Sequence, residues 1–300
     1  MSLVSGELRM SQDTHRSAAS SLSLEMTPRA YGMRRIGRIN ALGLWTLYKK
    51  EVWRFLKVWL QTIAAPAAQA LFFFIIFAIV LGGSGRASTS VPYPQFLAPG
   101  LIVMAILQNA FANTSSSLII AKVQGTIIDV LMPPLSPGEL TFGYVMGGVT
   151  RGIMLAAALL AAFALLPMKV VLVHDALAIV YFAVTGAMML ALIGMLTGIW
   201  AQKFDHVATI TNFVVAPLTL LSGTFYSVER LKASLGGAAH ILDTILAANP
   251  FFYVIDGFRY GFIGEADSPV LLGAAVVFGV DALLWLLTWR LLARGWRLKP

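Results

Sequence analysis

The sequence predicts an all-α integral membrane protein with six membrane-spanning helices. Three observations predict this class. The 300 residues are 58% hydrophobic, and their mean hydropathy is +0.79. Only 12% of them are charged, whereas about a quarter of the residues in a soluble domain are charged. Six apolar stretches approach or exceed the roughly 20 residues that a helix needs to cross the hydrocarbon layer.

The chain divides into a polar tail over 1–40 and a transmembrane domain over 41–300. The tail is rich in Ser, lacks hydrophobic periodicity and ends in a basic patch at Arg34, Arg35 and Arg38. We expect the tail to be disordered and to lie on the cytoplasmic side of the membrane.

Residues 44–59 predict an amphipathic helix at the membrane interface. Aromatic and apolar residues recur there at steps of three and four, while Lys50, Arg54 and Lys57 occupy the opposite face. Trp prefers the headgroup level, and Lys and Arg prefer an anionic cytoplasmic leaflet. The alternative is an ordinary amphipathic helix that packs on soluble protein.

Six spans follow this helix, and Pro66 is expected to bend the first of them. Glycines four residues apart predict close helix packing in the third and fourth spans. They are Gly143 with Gly147, Gly148 with Gly152, and Gly194 with Gly198. The predicted spans are 62–81, 96–121, 140–166, 176–200, 207–225 and 270–292.

The segment 124–137 between the second and third spans cannot lie in the membrane. Asp129 at the bilayer centre would cost roughly 2.5–3.5 kcal/mol, and Pro133-Pro134 stops a helix. We therefore predict a short helix from about 124 to 132 outside the membrane, where a force on it would move both attached spans. We call 124–137 the coupling segment.

The region 226–268 is too polar to span the membrane and too apolar to be a free loop. We predict re-entrant or interfacial helices, which are tolerated only where they are buried in protein or line a cavity. Within the aromatic part of this region, Asp256 and Arg259 are three residues apart. That spacing predicts a local salt bridge between the two side chains.

Polar side chains inside the spans are candidate functional residues. Gln108, Asn109 and Asn113 in the second span either line a path or hold helices together. Arg151 lies about halfway through the third span, where charged side chains are rare. It either faces a cleft and meets an anionic headgroup, or it pairs with Asp281 in the sixth span or with backbone carbonyls.

Charge sets the expected orientation. Ten of the 22 Lys and Arg residues precede Gln61, and the C-terminal tail is also basic. Six spans place both termini on one side, and the excess of positive charge makes that side cytoplasmic. The coupling segment is then cytoplasmic, and the region 226–268 lies on the outer side.

No pattern of catalysis or of cofactor binding occurs in the sequence. The four histidines are scattered without metal-ligand spacing, and G-x-x-x-x-G-K-[ST] is absent. We expect no catalytic, cofactor or metal site in this chain and no nucleic-acid partner.

Taken together in this order, these features resemble the ABC-2-type transporter permeases. The motifs that carry the resemblance are Gly125–Leu131 with Pro134–Ser136, Leu221–Ser227, Asn249-Pro250 and Asp256–Tyr260. Within that family the chain is most similar to the bacterial YadH-type inner-membrane permeases, and the resemblance covers about Leu42 to Arg297.

The resemblance implies the permease half of an ATP-driven exporter with a type V exporter-like fold in the bacterial inner membrane. Two copies of the chain would pair as a homodimer among membrane lipids, and two copies of a separate ABC ATPase subunit would bind ATP and Mg²⁺ beneath it. The ATPase-coupling interface would comprise Lys50, Arg54, Gly125, Thr126, Asp129 and Leu131. The translocation path or dimer cleft would include Gln108, Asn109, Asn113 and Arg151, and the outer gate would include Phe225, Tyr226, Asn249, Pro250, Asp256 and Arg259.

Two other classes of function stay open at this point. A secondary transporter driven by an ion gradient would be expected to show an internal repeat and acidic residues at the bilayer midplane. No convincing repeat is visible, and Asp281 is the one candidate acid. The second alternative is a membrane scaffold that transports nothing. Within the exporter class, the substrate could be a lipid, a lipid-linked glycan, a polysaccharide or a hydrophobic drug-like compound.

Overall fold

A computed structural model of the chain describes residues 39–82, 91–166, 170–226, Val228 and 239–296. Residues 1–38 of the predicted tail, which include its basic patch, and part of the predicted gate region lie outside the described residues. Within these ranges the chain is helical, and six helices are long and apolar enough to cross a membrane. The predicted fold class is therefore confirmed.

The helices are numbered here in chain order. They are α1, Ala41–Leu56; α2, a π-helical turn Leu60–Ala64 that continues into Ala65–Gly82; α3, Tyr93–Val123; α4, Ile127–Leu131; α5, Pro137–Ala164; α6, Ala176–Trp200; α7, Phe204–Leu221; α8, Ala239–Ala247; α9, Pro250–Ile263; and α10, Val270–Ala293.

Helix α3 is the centre of the bundle. It packs mainly against α5 and α6, and 78% of its most apolar window is buried. The corresponding share is 11% for α2 and α7 and 17% for α10. The three peripheral spans therefore turn most of their apolar surface away from the rest of the chain.

Glycines bring the central helices together, as their spacing predicts. A Cβ atom at Gly194 of α6 would lie 2.5 Å from the Phe111 carbonyl oxygen of α3. A Cβ atom at Gly148 of α5 would lie 3.0 Å from the Ala110 carbonyl oxygen, also on α3. Because no larger side chain fits at these two positions without a shift, the backbones of α5 and α6 rest directly on α3.

Helix α1 runs alongside the first half of α5. The Asn40 backbone N–H donates to Glu139 Oε1 at 2.5 Å, and farther along both helices the Tyr48 hydroxyl bonds the Thr150 hydroxyl at 2.9 Å. The contacts advance in the same direction along both helices, so the two helix axes are roughly parallel.

A capping box starts α5 and also fixes the beginning of α1. Ser136 Oγ accepts from the Glu139 N–H, and the Glu139 carboxylate accepts from the Ser136 N–H. The same carboxylate holds Asn40, so one side chain satisfies free N–H groups of two helices. Ser136 and Glu139 together therefore cap the third span.

Two peripheral spans contain the same irregularity. A π-helical turn precedes Pro66 in α2, and another, Thr211–Val215, precedes Pro217 in α7. Proline removes a backbone donor and crowds the preceding turn, and a wider turn before it relieves that crowding.

The coupling segment forms a shorter helix than predicted. The predicted helix covers 124–132, but α4 covers Ile127–Leu131. Gly125 has a φ of +73° and interrupts the chain after α3. A left-handed glycine ends a helix, so the residues around it form a turn instead of a first helical turn of α4.

Candidate functional site

A polar cluster lies between α1, α3 and α5, and Glu51 is at its centre. Glu51 is fully buried although it lies on α1. Its carboxylate accepts from the Ser117 hydroxyl at 2.8 Å and forms salt bridges with Lys50 at 3.3 Å and with Arg54 at 3.2 Å. A buried carboxylate is stable only with such partners, so these contacts fix α1 against α3.

Arg54 extends the polar cluster along α3. Its Nη2 donates to Asn113 Oδ1 at 2.9 Å and to the Asn113 carbonyl at 2.7 Å, and its Nη1 donates to the Ser116 hydroxyl at 3.2 Å. Lys50 also lies over the Tyr144 ring, 5.6 Å from its centroid. Both basic residues of the predicted ATPase-coupling interface are thus engaged inside the chain. Their contact with an ATPase stays a prediction.

Arg151 and Asn109 form the far end of the polar cluster. Arg151 Nη2 donates to Asn109 Oδ1 at 2.9 Å, and Arg54 is close enough to interact electrostatically with Arg151. The alternative pairing of Arg151 with Asp281 is wrong. Within the described residues neither carboxylate oxygen of Asp281 has a hydrogen-bond partner. The Arg151 side chain instead donates to the side-chain amide of Asn109 on α3.

The polar cluster has an excess of positive charge. It contains three cationic side chains, Lys50, Arg54 and Arg151, and one anionic side chain, Glu51, which gives a net formal charge of +2. Of the other polar residues predicted for the path, Gln108 is partly exposed and Asn113 is buried. The cluster therefore joins helices through hydrogen bonds and also concentrates positive charge beside α3.

The coupling segment presents an apolar and acidic surface. Ile127 is buried and anchors α4, whereas Ile128 is 52% exposed and Met132 is 77% exposed. Asp129 and Leu131 are exposed on the same short helix. Exposed apolar side chains next to a charge are typical of a protein contact surface.

Gly125 and Thr126 complete this surface as the turn that leads into α4. Both are exposed, and the Thr126 hydroxyl donates to the Ala121 carbonyl at 3.4 Å. Four of the six residues predicted for the ATPase-coupling interface are thus together at one exposed turn and helix: Gly125, Thr126, Asp129 and Leu131.

At the opposite end of α3, helix α9 holds the turn that follows α7. Asn249 caps α9 by accepting from the Phe251 N–H at 3.1 Å, and its Nδ2 donates to the Ser222 hydroxyl at 2.9 Å. Pro250 occupies the first helical position, where a missing N–H costs nothing. Asn249 and Pro250, both predicted for the outer gate, therefore set where α9 begins and what it contacts.

Asp256 and Arg259 do not form the predicted salt bridge. Asp256 accepts from the Asp267 and Ser268 N–H groups at 2.8 and 2.9 Å. Arg259 is buried, donates to the Gly223 carbonyl at 2.5 Å and lies over the Phe96 ring at 4.0 Å. Each side chain therefore fixes a different neighbouring loop.

Phe225 and Tyr226 lie in the turn that α9 holds. The Phe225 carbonyl accepts from the Tyr93 hydroxyl at 3.0 Å, and its ring packs against Phe77 with a centroid distance of 4.9 Å. The Tyr226 hydroxyl donates to the Leu221 carbonyl. The six predicted gate residues thus lie in α9, at its N-cap and in the turn after α7. Residues 227 and 229–238 lie outside the described residues.

Glu51 was missed as a site residue, although the sequence carries a signal for it. Leu47, Glu51 and Phe55 recur every four residues, and all three are buried. An acid in the middle of an apolar stripe, with arginine three residues later, indicates a buried ion pair. Lys122 was also missed; it bonds the carbonyls of Ile199 and Ala201 and ties α3 to the end of α6.

The architecture by itself defines the class of protein. It is a multi-pass, all-helical membrane protein with charged side chains gathered around a central span and a short exposed helix between two central spans. Among the described residues no His, Asp and Glu cluster could hold a metal ion.

The chain belongs to the ABC-2 type transporter family, whose model it matches over residues 43–263. It is 36% identical over 258 residues to the inner membrane transport permease YadH of Escherichia coli strain K12, a match that covers 85% of this chain and 96% of YadH. It is 24% identical over 205 residues to nodulation protein J of Neorhizobium galegae, which covers 67% of this chain and 72% of that protein. The chain is therefore a membrane permease of an ABC transporter, and the relationship to YadH supports an inner-membrane location.

Proposed function

We propose that this chain is the permease subunit of an ATP-driven exporter that is powered by a separate ATPase subunit. The observation that carries the proposal is the exposed surface of α4, the short helix that connects α3 to α5. A protein partner would cover its exposed apolar side chains. ATP and Mg²⁺ would bind to that partner. Membership of the ABC-2 type transporter family argues against both the ion-gradient transporter and the scaffold that transports nothing.

The mechanism follows from the connections of α4. Closure of two ATPase subunits would push α4, and α3 and α5 would move with it because both flank it in the chain. Such a movement shifts the population between two packings of the bundle. α3 would carry the shift to α9 through the contact of Phe96 with Arg259. It would carry the shift to the turn after α7 through the bond from Tyr93 to the Phe225 carbonyl.

The polar cluster supports an amphipathic substrate with an anionic group. Its net formal charge of +2 lies beside the central span on side chains that are half-buried or, for Lys50, exposed, and charged side chains at membrane depth are rare and mark candidate substrate paths. An anionic headgroup would neutralise it during passage, whereas Arg151 and Asn109 would hold each other when the substrate is absent. Lipid-like compounds, glycans with a lipid anchor and amphipathic drugs all fit this description.

The test is copurification with the ATPase subunit from the neighbouring genes, followed by an ATP-hydrolysis assay in nanodiscs. The variant is Asp129→Lys, which reverses the charge of α4. The matched control is Glu265→Lys, which reverses an exposed carboxylate at the α9 end of the bundle. We expect the wild type and the control to retain the ATPase and the α4 variant to lose it.

The outcome separates the proposal from its alternatives. Equal retention of the ATPase by the wild type and by Asp129→Lys, with equal hydrolysis rates, would mean that α4 is not the docking surface. Failure of any ATPase to copurify in mild detergent or nanodiscs would contradict the docking of a separate ATPase subunit on this chain.

A further inference from the structure

Helix α1 carries an exposed stripe in which aromatic and cationic residues alternate. Trp45, Lys49, Trp53 and Lys57 follow one another at intervals of four residues and are all on the exposed side of the helix. The prediction that Lys57 lies opposite the aromatic residues is therefore wrong. All four are exposed, Trp45 by 60% and Trp53 by 55%. This stripe is separate from the polar cluster, which uses the buried side of α1.

A groove lies next to the stripe, between α1 and α5. Its volume is about 320 Å³. The walls are carbon-rich and include two aromatic rings of α1, Trp45 and Tyr48, whose centroids are 5.6 Å apart. The lining residues are Ala41, Leu44, Trp45, Tyr48, Phe142 and Met146.

The groove is bordered by a hydrogen bond between α1 and α5, and it shares Trp45 with the stripe. The bond between Tyr48 and Thr150 joins α1 to α5 at one end. On the exposed side Lys49 lies one turn from Trp45 and another turn from Trp53. The one acidic residue of α1, Glu51, is buried and paired with Arg54. An occupant of the groove therefore contacts hydrocarbon walls, and the exposed Lys49 lies one helical turn from Trp45.

We propose that the α1–α5 groove and the Trp–Lys stripe bind a bilayer phospholipid with an anionic headgroup. One acyl chain would lie in the groove, the tryptophans would sit at the headgroup level, and Lys49 would bind the phosphate. Lys57, about 12 Å farther along the helix, would add to the attraction for an anionic headgroup. Charge complementarity favours an anionic lipid, because the stripe carries two exposed lysines and no exposed acid of α1. Glu139, the acid of α5 near Ala41, is engaged by the Asn40 and Ser136 N–H groups. The apolar lining selects a hydrocarbon chain over a polar ligand. This site depends on membrane insertion and does not rest on the proposed function.

The experiment uses the full chain in phosphatidylcholine nanodiscs that contain a small fraction of photoactivatable phosphatidylglycerol with a diazirine in its acyl chain. Cross-linked peptides are mapped by mass spectrometry. Labelling of α1 and α5 at the groove is divided by labelling of α10, whose exposed Leu271 and Phe278 report ordinary lipid contact. The same measurement is repeated with photoactivatable phosphatidylcholine.

We expect groove labelling by the phosphatidylglycerol probe to exceed that by the phosphatidylcholine probe at least about threefold, and Lys49→Gln/Lys57→Gln to remove this preference. Met146→Trp fills the groove and should lower labelling by both probes. Lys203→Gln changes an exposed lysine elsewhere and should leave the ratio unchanged. Size-exclusion profiles identical to that of the wild type show that the variants are folded.

Two results would overturn the proposal. One is equal labelling of the groove by both probes, at the level found on α10. The other is loss of groove labelling when the ATPase subunit is copurified, which would assign this surface to the protein partner instead of a lipid.

Discussion

Glu51 is the buried charge on which the position of α1 depends. Its three partners lie on α1 and α3, and the carboxylate has no exposed surface. Breaking a buried ion pair costs about 3–5 kcal/mol, and the cost is lower here because Arg54 is 27% exposed. We expect Glu51→Leu to lower the midpoint of thermal unfolding in detergent by several degrees, and Glu51→Gln to lower it less.

A suitable control for Glu51 is Asp205→Asn, because Asp205 is an exposed carboxylate in the first turn of α7. Its substitution should leave the midpoint within a degree or so of the wild type, as for most surface changes. A Glu51→Leu variant as stable as this control would show that the buried carboxylate does not hold α1.

Arg151 and Asn109 provide a test of whether the central arginine is held by α3. The bond of 2.9 Å joins a charged donor to an amide acceptor, and such bonds contribute about 1.5–3 kcal/mol. A double-mutant cycle with Arg151→Met and Asn109→Ala, read from unfolding free energies in SDS titrations, should give a coupling energy of that order. Additivity within about 0.5 kcal/mol would mean that the two side chains act independently.

At the scale of helices, the contact between α3 and α6 depends on a residue without a Cβ atom. A Cβ atom at Gly194 would lie 2.5 Å from the Phe111 carbonyl oxygen and even closer to the Thr114 hydroxyl. Overpacking of a tight core costs about 1–3 kcal/mol. We therefore expect Gly194→Val to lower the thermal midpoint markedly and to reduce the yield of monodisperse protein.

Gly279 of α10 is the matched control for Gly194. It is also a helical glycine, but a Cβ atom there would meet nothing within 4 Å. Gly279→Ala should leave the midpoint unchanged or raise it, since alanine favours a helix over glycine by about 1 kcal/mol. If Gly194→Val were as stable as Gly279→Ala, the close contact between α3 and α6 would not exist.

The sequence could predict the helices because each is encoded locally. No end of a span differs from its predicted bound by more than four residues, the largest difference being 225 against Leu221. The π-helical turns of α2 and α7 were not predicted, and the helix predicted over 124–132 is reduced to Ile127–Leu131. Prolines mark where a helix is disturbed, but the way the backbone relieves the crowding depends on neighbours that the sequence does not name.

The polar cluster was predicted only in part, for a physical reason. The sequence identifies Arg151, Asn109 and Asn113 as candidate site residues because polar residues inside apolar spans are rare. The partner of each one depends on how the helices are rotated, and a single sequence does not fix that rotation. Asp281 and Asp256 show the result: both were paired with arginines by depth or spacing, and the structure pairs neither of them in that way.

At the scale of the whole molecule, a buried central span connects the coupling segment with the predicted outer gate. α3 leads into α4 at one end, and at the other end it contacts α9 and the turn after α7. The peripheral spans α2, α7 and α10 leave most of their surface uncovered by the chain. Such an arrangement suits a half-transporter, in which a second copy covers one peripheral face and lipid covers the rest.

Helix α7 is the peripheral span best suited to the proposed interface between two copies. Asn212 is exposed near the middle of this span, and an amide facing hydrocarbon without a partner costs several kcal/mol. In a dimer with two-fold symmetry, residues near the axis meet their own copies. The chain has no cysteine, so a single introduced thiol reports this contact directly.

We expect Asn212→Cys to form a disulfide-linked dimer of the 32.4 kDa chain when membranes are oxidised with copper phenanthroline. The control is Phe278→Cys, which places a thiol at an exposed position of α10, at 64% exposure. Its dimer fraction should stay at the level of random collision. Dimers at residue 278 without dimers at 212 would move the interface to α10, since the same chemistry then reports a different face. Absence of dimers at both positions, with a monomeric mass in nanodiscs, would contradict the homodimer itself.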